Sequence, residues 1–275
     1  MVIKNFLKFL VNSNVYLAIG AGINAIVVAF LLNMPILLEI FFIPFSGSFF
    51  IYNLNRISDI KEDTLNLPER VNFIKKYGKK IFFISFIFYL IALILSFLKN
   101  IIVGIVVLIP VIIAIFYSFF RLKKITFIKN ILVGFAWAFG NCVLVYSFFN
   151  IWNLQSIIFF LIFFLSFTIN TIIFDIKDIT GDRIQNIITM PVKYGIKNTK
   201  LILYGIFILT ILITFYSFLL NFNTIIIFPY IIFLGVCINY IRENKKYPWW
   251  YFGVAVDGEF LILFLSFIVY TLMVL

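Results

Sequence analysis

Residues 52–63 read YNLNRISDIKED. They follow, after Ile51, the run ILLEIFFIPFSGSFF at 36–50, which suits lipid better than water. Asp59, Glu62 and Asp63 therefore crowd the end of an apolar helix, with Arg56 and Lys61 among them and Asn53 and Asn55 beside them. Charges placed where an apolar helix ends mark a membrane boundary. What they are for depends on whether the pattern recurs.

The rest of the chain sets that boundary in context. Of its 275 residues, 64% are hydrophobic and only 12% are charged, against about 25% charged in soluble domains. Apolar runs of about 18 or more residues with few charges are long enough to cross a bilayer. Such runs fall at roughly 15–33, 35–55, 81–98, 101–120, 131–149, 155–174, 201–220, 224–241 and 251–274. The expectation is an all-α polytopic membrane protein with nine transmembrane helices, forming a single domain over 1–275. The first run lacks a small-residue cleavage site and does not read as a signal peptide. Cys142 and Cys237 both sit inside apolar runs, without disulfide or metal spacing.

The net charge of +11 would suggest nucleic acid in a soluble protein. In a membrane protein it reports loop charge, so no nucleic-acid partner is expected. With nine crossings, every Lys and Arg except Lys99 falls on one side. Cytoplasmic loops carry the excess of Lys and Arg. The chain is thus expected in the cell membrane, with its N-terminus cytoplasmic and its C-terminus external. The long connections, where chemistry belongs, are then all cytoplasmic. YPWWY at 247–251 fits an interfacial aromatic belt.

The acids recur. If the second span continues as a helix, Asn55, Asp59 and Asp63 share one face at i, i+4, i+8. Asp175, Asp178 and Asp182 share a face at i, i+3, i+7 where the sixth span ends. Stacked like charges destabilise a helix by a few tenths of a kcal/mol per pair, so a cationic counterpart is expected. Mg²⁺ suits carboxylate oxygens and completes its shell with water and phosphate. The chain has no His to serve a softer metal. The flanks repeat as well: NRISDIKEDTLNLPERVNFIKKYGKK (55–80) and DIKDITGDRIQNIITMPVKYGIKNTK (175–200) both run from paired acids through a proline to Lys-Tyr-Gly. Two related helix–loop units, each giving a carboxylate face to a shared site, are the natural reading. A solvated helix end accounts for one cluster alone, less readily for two at matching depth.

These motifs resemble the UbiA superfamily of intramembrane prenyltransferases, which carries N-D-x-x-D-x-x-x-D after helix two and a D-x-x-D-x-x-x-D-like motif after helix six. DIKDITGDRIQNIITMPVKYG (175–195) is the stronger match, and YSFFRLKKITFIKN (117–130) resembles the Tyr-and-basic segment after helix four. The first motif departs, with Arg56 in place of its first Asp. The resemblance implies a UbiA-like bundle with Mg²⁺ as cofactor. It implies Asp59, Asp63, Asp178 and Asp182 as catalytic metal ligands, with Asp175 next. The partners it implies are a prenyl diphosphate, a lipophilic acceptor of quinone-precursor or glycerol-lipid type, and membrane lipids. Asn55, Arg56, Tyr117, Arg121, Lys123, Lys177 and Arg183 are candidate substrate contacts. Lys123, Lys177 and Arg183 are equally ordinary positive-inside residues.

The implied reaction is loss of diphosphate to leave an allylic cation that the acceptor captures. Competing readings are a UbiA-like terpene cyclase, a transporter, or a non-catalytic protein binding isoprenoid diphosphates. A CDP-alcohol phosphotransferase would need D-G-x-x-A-R, whereas the one Asp-Gly here is DGEF at 257–260. Asn24, Asn141, Asn170 and Asn239 are expected to hydrogen-bond between helices. Glu39 is expected near the outer interface. Asp257 and Glu259, just inside the last span, are candidates to line an acceptor chamber, outside the catalytic set.

Overall fold

The computed structural model describes residues 2–58, 68–119, 126–184, 186–242 and 247–274, without the side chains of residues 2, 68, 69, 117–119 and 274. Among the described residues all regular structure is helical. The helices are α1 (Val2–Asn12), α2 (Val15–Leu31), α3 (Leu38–Ser58), α4 (Pro68–Lys99), α5 (Ile101–Phe119) and α6 (Ile128–Ala138). They continue with α7 (Leu144–Phe149), α8 (Leu154–Ile184), α9 (Met190–Leu219), α10 (Phe228–Tyr240) and α11 (Glu259–Val274). Two π-helical turns interrupt the series, Phe139–Val143 between α6 and α7 and Tyr251–Val256 before α11.

Among the described residues, each apolar run of the sequence falls largely on helix. Among the described residues, length and apolarity qualify five segments as membrane-crossing: Arg70–Lys99, Ile128–Phe149, Leu154–Ile184, Met190–Leu219 and Tyr251–Met273. The count reaches six if Ile3–Asn12 and Val15–Leu31 are one broken span, bent by 75°. This is fewer than the nine expected. Ile101–Phe116 and Thr224–Tyr240 are short. Helix α3 carries Pro44 and a polar stretch from Ser46 to Ser48 within its length.

Helix α1 was not anticipated from the sequence. The elbow to α2 turns at Asn14, whose φ of 63° is left-handed, a conformation Asn tolerates better than most residues. Side chains staple the elbow to its neighbours. Asn14 Nδ2 donates to Asn53 Oδ1 at 3.1 Å, and Asn53 Nδ2 donates to the Ser13 carbonyl at 3.2 Å. Arg70 donates to the Val11 carbonyl at 3.1 Å. The two helices that flank the first acidic motif are thereby tied to the N-terminal elbow.

The twofold pattern of the sequence is visible in the packing. Helix α3 packs between α2 and α4, and α8 packs between α6 and α9. The crossing of α6 and α8 is close at Gly134, where a Cβ would sit 3.0 Å from the Thr168 nitrogen and 3.2 Å from the Phe164 carbonyl oxygen. The two Lys-Tyr-Gly segments differ. Gly78 is an ordinary helical residue of α4, whereas Gly195 (φ 75°, ψ 161°) breaks α9 near its start. The outer faces of α4, α5 and α9 expose Phe83, Ile94, Ile101, Leu201 and Leu212, as lipid contact requires.

Candidate active site

At its 31 residues, α8 rises about 46 Å, against roughly 30 Å of hydrocarbon. Its last turns therefore project beyond the apolar layer and carry the second acidic motif as helix, as the spacing predicted. The three acids have different surroundings. Asp175 is 2% exposed. Lys129 Nζ lies 2.5 Å from its Oδ1, and Asn130 Nδ2 donates to its Oδ2 at 2.9 Å. Asn130 also reaches Thr171 Oγ1 at 3.3 Å. Lys129 and Asn130 open α6, so the α6–α8 crossing sets this pair. A buried carboxylate needs such partners, because burial removes the water that would otherwise stabilise its charge.

Asp178 is half-buried. Lys177 Nζ lies 3.5 Å from its Oδ1, and the same ammonium sits over the rings of Phe174 and Phe252, 5.2 Å from each centroid. Asp182 is buried, and its Oδ2 has no hydrogen-bond partner. The Thr189 hydroxyl and the Lys129 charge bear on this carboxyl group, yet they leave Oδ2 without a hydrogen bond of good geometry and open to a further cation. Together with Asp178 at i−4, it fits a divalent cation that takes only one or two carboxylates and leaves its other positions to water and phosphate. Among the described residues no three carboxylates converge as a ready-made cage.

A cavity of about 390 Å³ opens beside these acids. Asn55, Arg56, Asp175, Lys177 and Asp178 all line it, so two segments far apart in sequence meet there. Arg70, Lys129 and Asp257 line it too. Its walls are largely apolar and include Ile51, Val107, Trp137 and Phe167. Trp137 Nε1 donates to Tyr52 Oη at 2.7 Å, which locks α6 onto α3 along one wall. One charged end and an apolar body is the usual form of a site for a polar-headed, greasy ligand.

Not every candidate arrives here. Asp182 is buried but outside the cavity lining, and Arg183 is exposed and away from it. Asp59, Asp63, Arg121 and Lys123 lie outside the described residues, as does the side chain of Tyr117. Arg70 and Lys129 had counted only as loop charge. The signal available for Lys129 was its position directly ahead of an apolar run, next to Asn130. The buried Asn residues divide. Asn239 Oδ1 accepts from Tyr204 Oη at 2.7 Å, an interhelical bond as expected. Asn170 Nδ2 reaches the Val256 carbonyl only at 3.4 Å, and Asn141 Nδ2 donates within its own segment to the Trp137 carbonyl at 2.7 Å. Asn24, Asn141 and Asn170 line the cavity, as does Glu259.

The profile of the UbiA prenyltransferase family matches residues 14–268. A digeranylgeranylglyceryl phosphate synthase of Methanosphaera stadtmanae is 29% identical over 224 residues, covering 78% of this chain and 80% of its own. The synthase of Sulfurisphaera tokodaii is 30% identical over 190 residues, covering 67% and 66%. Among solved structures, a UbiA homologue from Aeropyrum pernix superposes with a TM-score of 0.69 at 16% identity, covering 92% of this chain and 98% of its own. A UbiA homologue from Archaeoglobus fulgidus, bound to GPP and Mg²⁺, gives 0.66 at 15% identity, covering 94% and 95%. At these identities the structures establish a shared fold.

Proposed function

Because this chain belongs to the UbiA prenyltransferase family, we propose that it transfers a prenyl group from a prenyl diphosphate to a hydroxyl of a glycerol lipid. The observation that carries this reading is the cavity, with acids and cations at one end and an apolar body behind them. The glycerol-lipid acceptor, in preference to a quinone precursor, follows from the names of the relatives. We place the reaction at the cytoplasmic face of a nine-span chain whose N-terminus is cytoplasmic and C-terminus external, since the Lys and Arg distribution favours that orientation.

In this reading Asp59, Asp63, Asp178 and Asp182 hold Mg²⁺. Asp175 supports them through its pairing with Lys129. Bound Mg²⁺ supplies charge neutralisation for the departing diphosphate. Arg56, Arg70 and Lys177 line the same end of the cavity and would hold the diphosphate oxygens, Arg56 with the bidentate geometry of a guanidinium. Donors fixed in place before the bond breaks need no reorganisation as charge develops, which makes them effective in a water-poor site. The apolar walls receive the prenyl chain and keep water from the allylic cation. Trp137 and Phe167 offer aromatic faces there.

One observation favours a second reading. Arg56 stands where the family motif carries an acid, and Asp175 already has a cationic partner. A protein that binds isoprenoid diphosphate without ionising it could be built this way. Incubating the purified protein with labelled geranylgeranyl diphosphate, Mg²⁺ and a glyceryl phosphate monoether separates the two. Prenyl transfer is expected. Tight, Mg²⁺-dependent binding of the donor without product would select the binding protein instead.

A further inference from the structure

Glu259 is the group the cavity leaves unexplained. It is 6% exposed, lines the cavity wall, and its Oε2 has no hydrogen-bond partner. Asn170, also on the cavity wall, and the buried Tyr230 both lie within side-chain hydrogen-bonding reach of its carboxyl group. An acid inside a membrane bundle is expensive, and intramembrane acids that persist mark ligand or proton paths. A packing role would be served as well by Leu or Gln.

The other carboxylates in the cavity wall are occupied. Asp175 is held by Lys129 and Asn130, and Asp178 lies beside Lys177. Asp257 faces Arg70, Lys177 and Arg56. The charged neighbour that bears on Glu259 is Asp257, an acid. Glu259 is therefore set apart from the cation-rich end.

Its depth is right for a different task. Asn170 precedes Asp175 by five residues on α8, about 7.5 Å further into the bundle at 1.5 Å per residue. A diphosphate held at the acidic end would direct its prenyl chain inward, so the carbon it releases lies on the way to this level. The backbone is also specialised here. Glu259 follows the π-helical turn Tyr251–Val256, and Tyr16 Oη donates to the Val254 carbonyl within that turn at 2.9 Å. Such turns re-aim the residues after them and recur at functional sites.

We propose that Glu259 and Asn170 form the seat of the acceptor's hydroxyl, and that the Glu259 carboxylate takes its proton. The inference rests on the prenyl-transfer reading. As the acceptor oxygen bonds to C1 of the prenyl group, the C1–O bond to diphosphate breaks and its electron pair leaves with the diphosphate. The hydroxyl proton passes to Glu259, which later releases it to water. Asn170 holds the hydroxyl in line.

The test uses the whole protein with geranylgeranyl diphosphate, Mg²⁺ and a glyceryl phosphate monoether bearing a free secondary hydroxyl. Removing a general base slows turnover by about 10²–10⁴-fold. Glu259→Gln should lose turnover on that scale while keeping its KM for the donor, and Glu259→Asp should restore part of the rate. Asn170→Ala should raise the acceptor KM about tenfold and leave donor binding unchanged. Binding gives a readout apart from turnover. Wild type should prefer the free hydroxyl to its methyl ether by about tenfold, and both Glu259→Leu, which leaves no acceptor, and Asn170→Ala should abolish that preference. The proposal is overturned if Glu259→Gln turns over within twofold of wild type. It is equally overturned if Glu259→Gln and Asn170→Ala weaken donor and acceptor alike, as a structural role would. Wild type that prenylates only an aromatic acceptor overturns the hydroxyl seat and leaves prenyl transfer standing. Wild type that prenylates nothing removes both.

Discussion

At the scale of single residues, Lys129 and Arg56 carry opposite lessons. Lys129 is part-exposed at 25%, whereas its partner Asp175 is buried at 2%. Replacing Lys129 by Ala strands a buried carboxylate with Asn130 as its remaining polar contact on Oδ2. We expect a loss of about 2–3 kcal/mol, below the full value for a buried pair because the ammonium already meets solvent. Thermal unfolding in detergent measures it, and adding Asp175→Asn should recover most of the loss. Arg56 lines the cavity and belongs to the proposed diphosphate cradle. A charge-assisted hydrogen bond contributes about 1.5–3 kcal/mol. Arg56→Ala should therefore weaken inorganic diphosphate binding roughly tenfold to a hundredfold, and Arg56→Lys should restore only part. Arg56→Asp rebuilds the family motif and should raise the Mg²⁺ concentration needed for binding. Unchanged affinity in Arg56→Ala at every Mg²⁺ concentration would show that Arg56 only balances charge.

At the scale of elements, the α6–α8 crossing decides whether the acidic motif is presented correctly. Gly134 permits it: a Cβ there would press on the Thr168 nitrogen at 3.0 Å and the Phe164 carbonyl at 3.2 Å, with the Thr168 hydroxyl nearer still. Overpacking typically costs about 1–3 kcal/mol. Gly134→Ala should fall at the lower end and Gly134→Leu at the upper, both read as a drop in unfolding temperature. Because the nearest atom is a side-chain oxygen, Thr168→Ala should partly rescue Gly134→Ala. No rescue would place the strain in the backbone. Gly195 makes a different demand. Nothing crowds it, but its φ of 75° is one that other residues resist. Gly195→Ala should thus destabilise through conformation alone, by about 1–3 kcal/mol, because φ 75° with ψ 161° is a region essentially reserved for glycine.

At the scale of the whole molecule, labelling from outside decides how the helices cross the bilayer. We expect cysteine at position 72 to be shielded from an impermeant reagent in intact cells and cysteine at position 150 to be labelled. Cys142 and Cys237 are buried and should give little background. Labelling at position 72 would reverse the orientation and with it the side on which substrate is met. The fold itself is less sensitive to that answer, because α3 between α2 and α4 repeats the placing of α8 between α6 and α9.

The sequence by itself determined the helical membrane class, the family, and the helix that carries Asp175, Asp178 and Asp182, because hydropathy and i, i+3, i+7 spacing act along one strand of chain. It also singled out Arg56 as the departure from the motif. Only the tertiary structure decided which partners those residues meet. Lys129 stands 46 positions from Asp175, and no local pattern joins them. It is their helices' crossing at a glycine that does so. Arg183, adjacent in sequence to Asp182, is turned out of the site by the helix's rotation. Glu259 reads in sequence, with Asp257, as a candidate to line an acceptor chamber, but no local pattern names its neighbours. The turn before it and the packing of α8 bring it to the cavity. Spacing along a helix is written into the chain, whereas burial and pairing are properties of surfaces that exist only once the helices have packed.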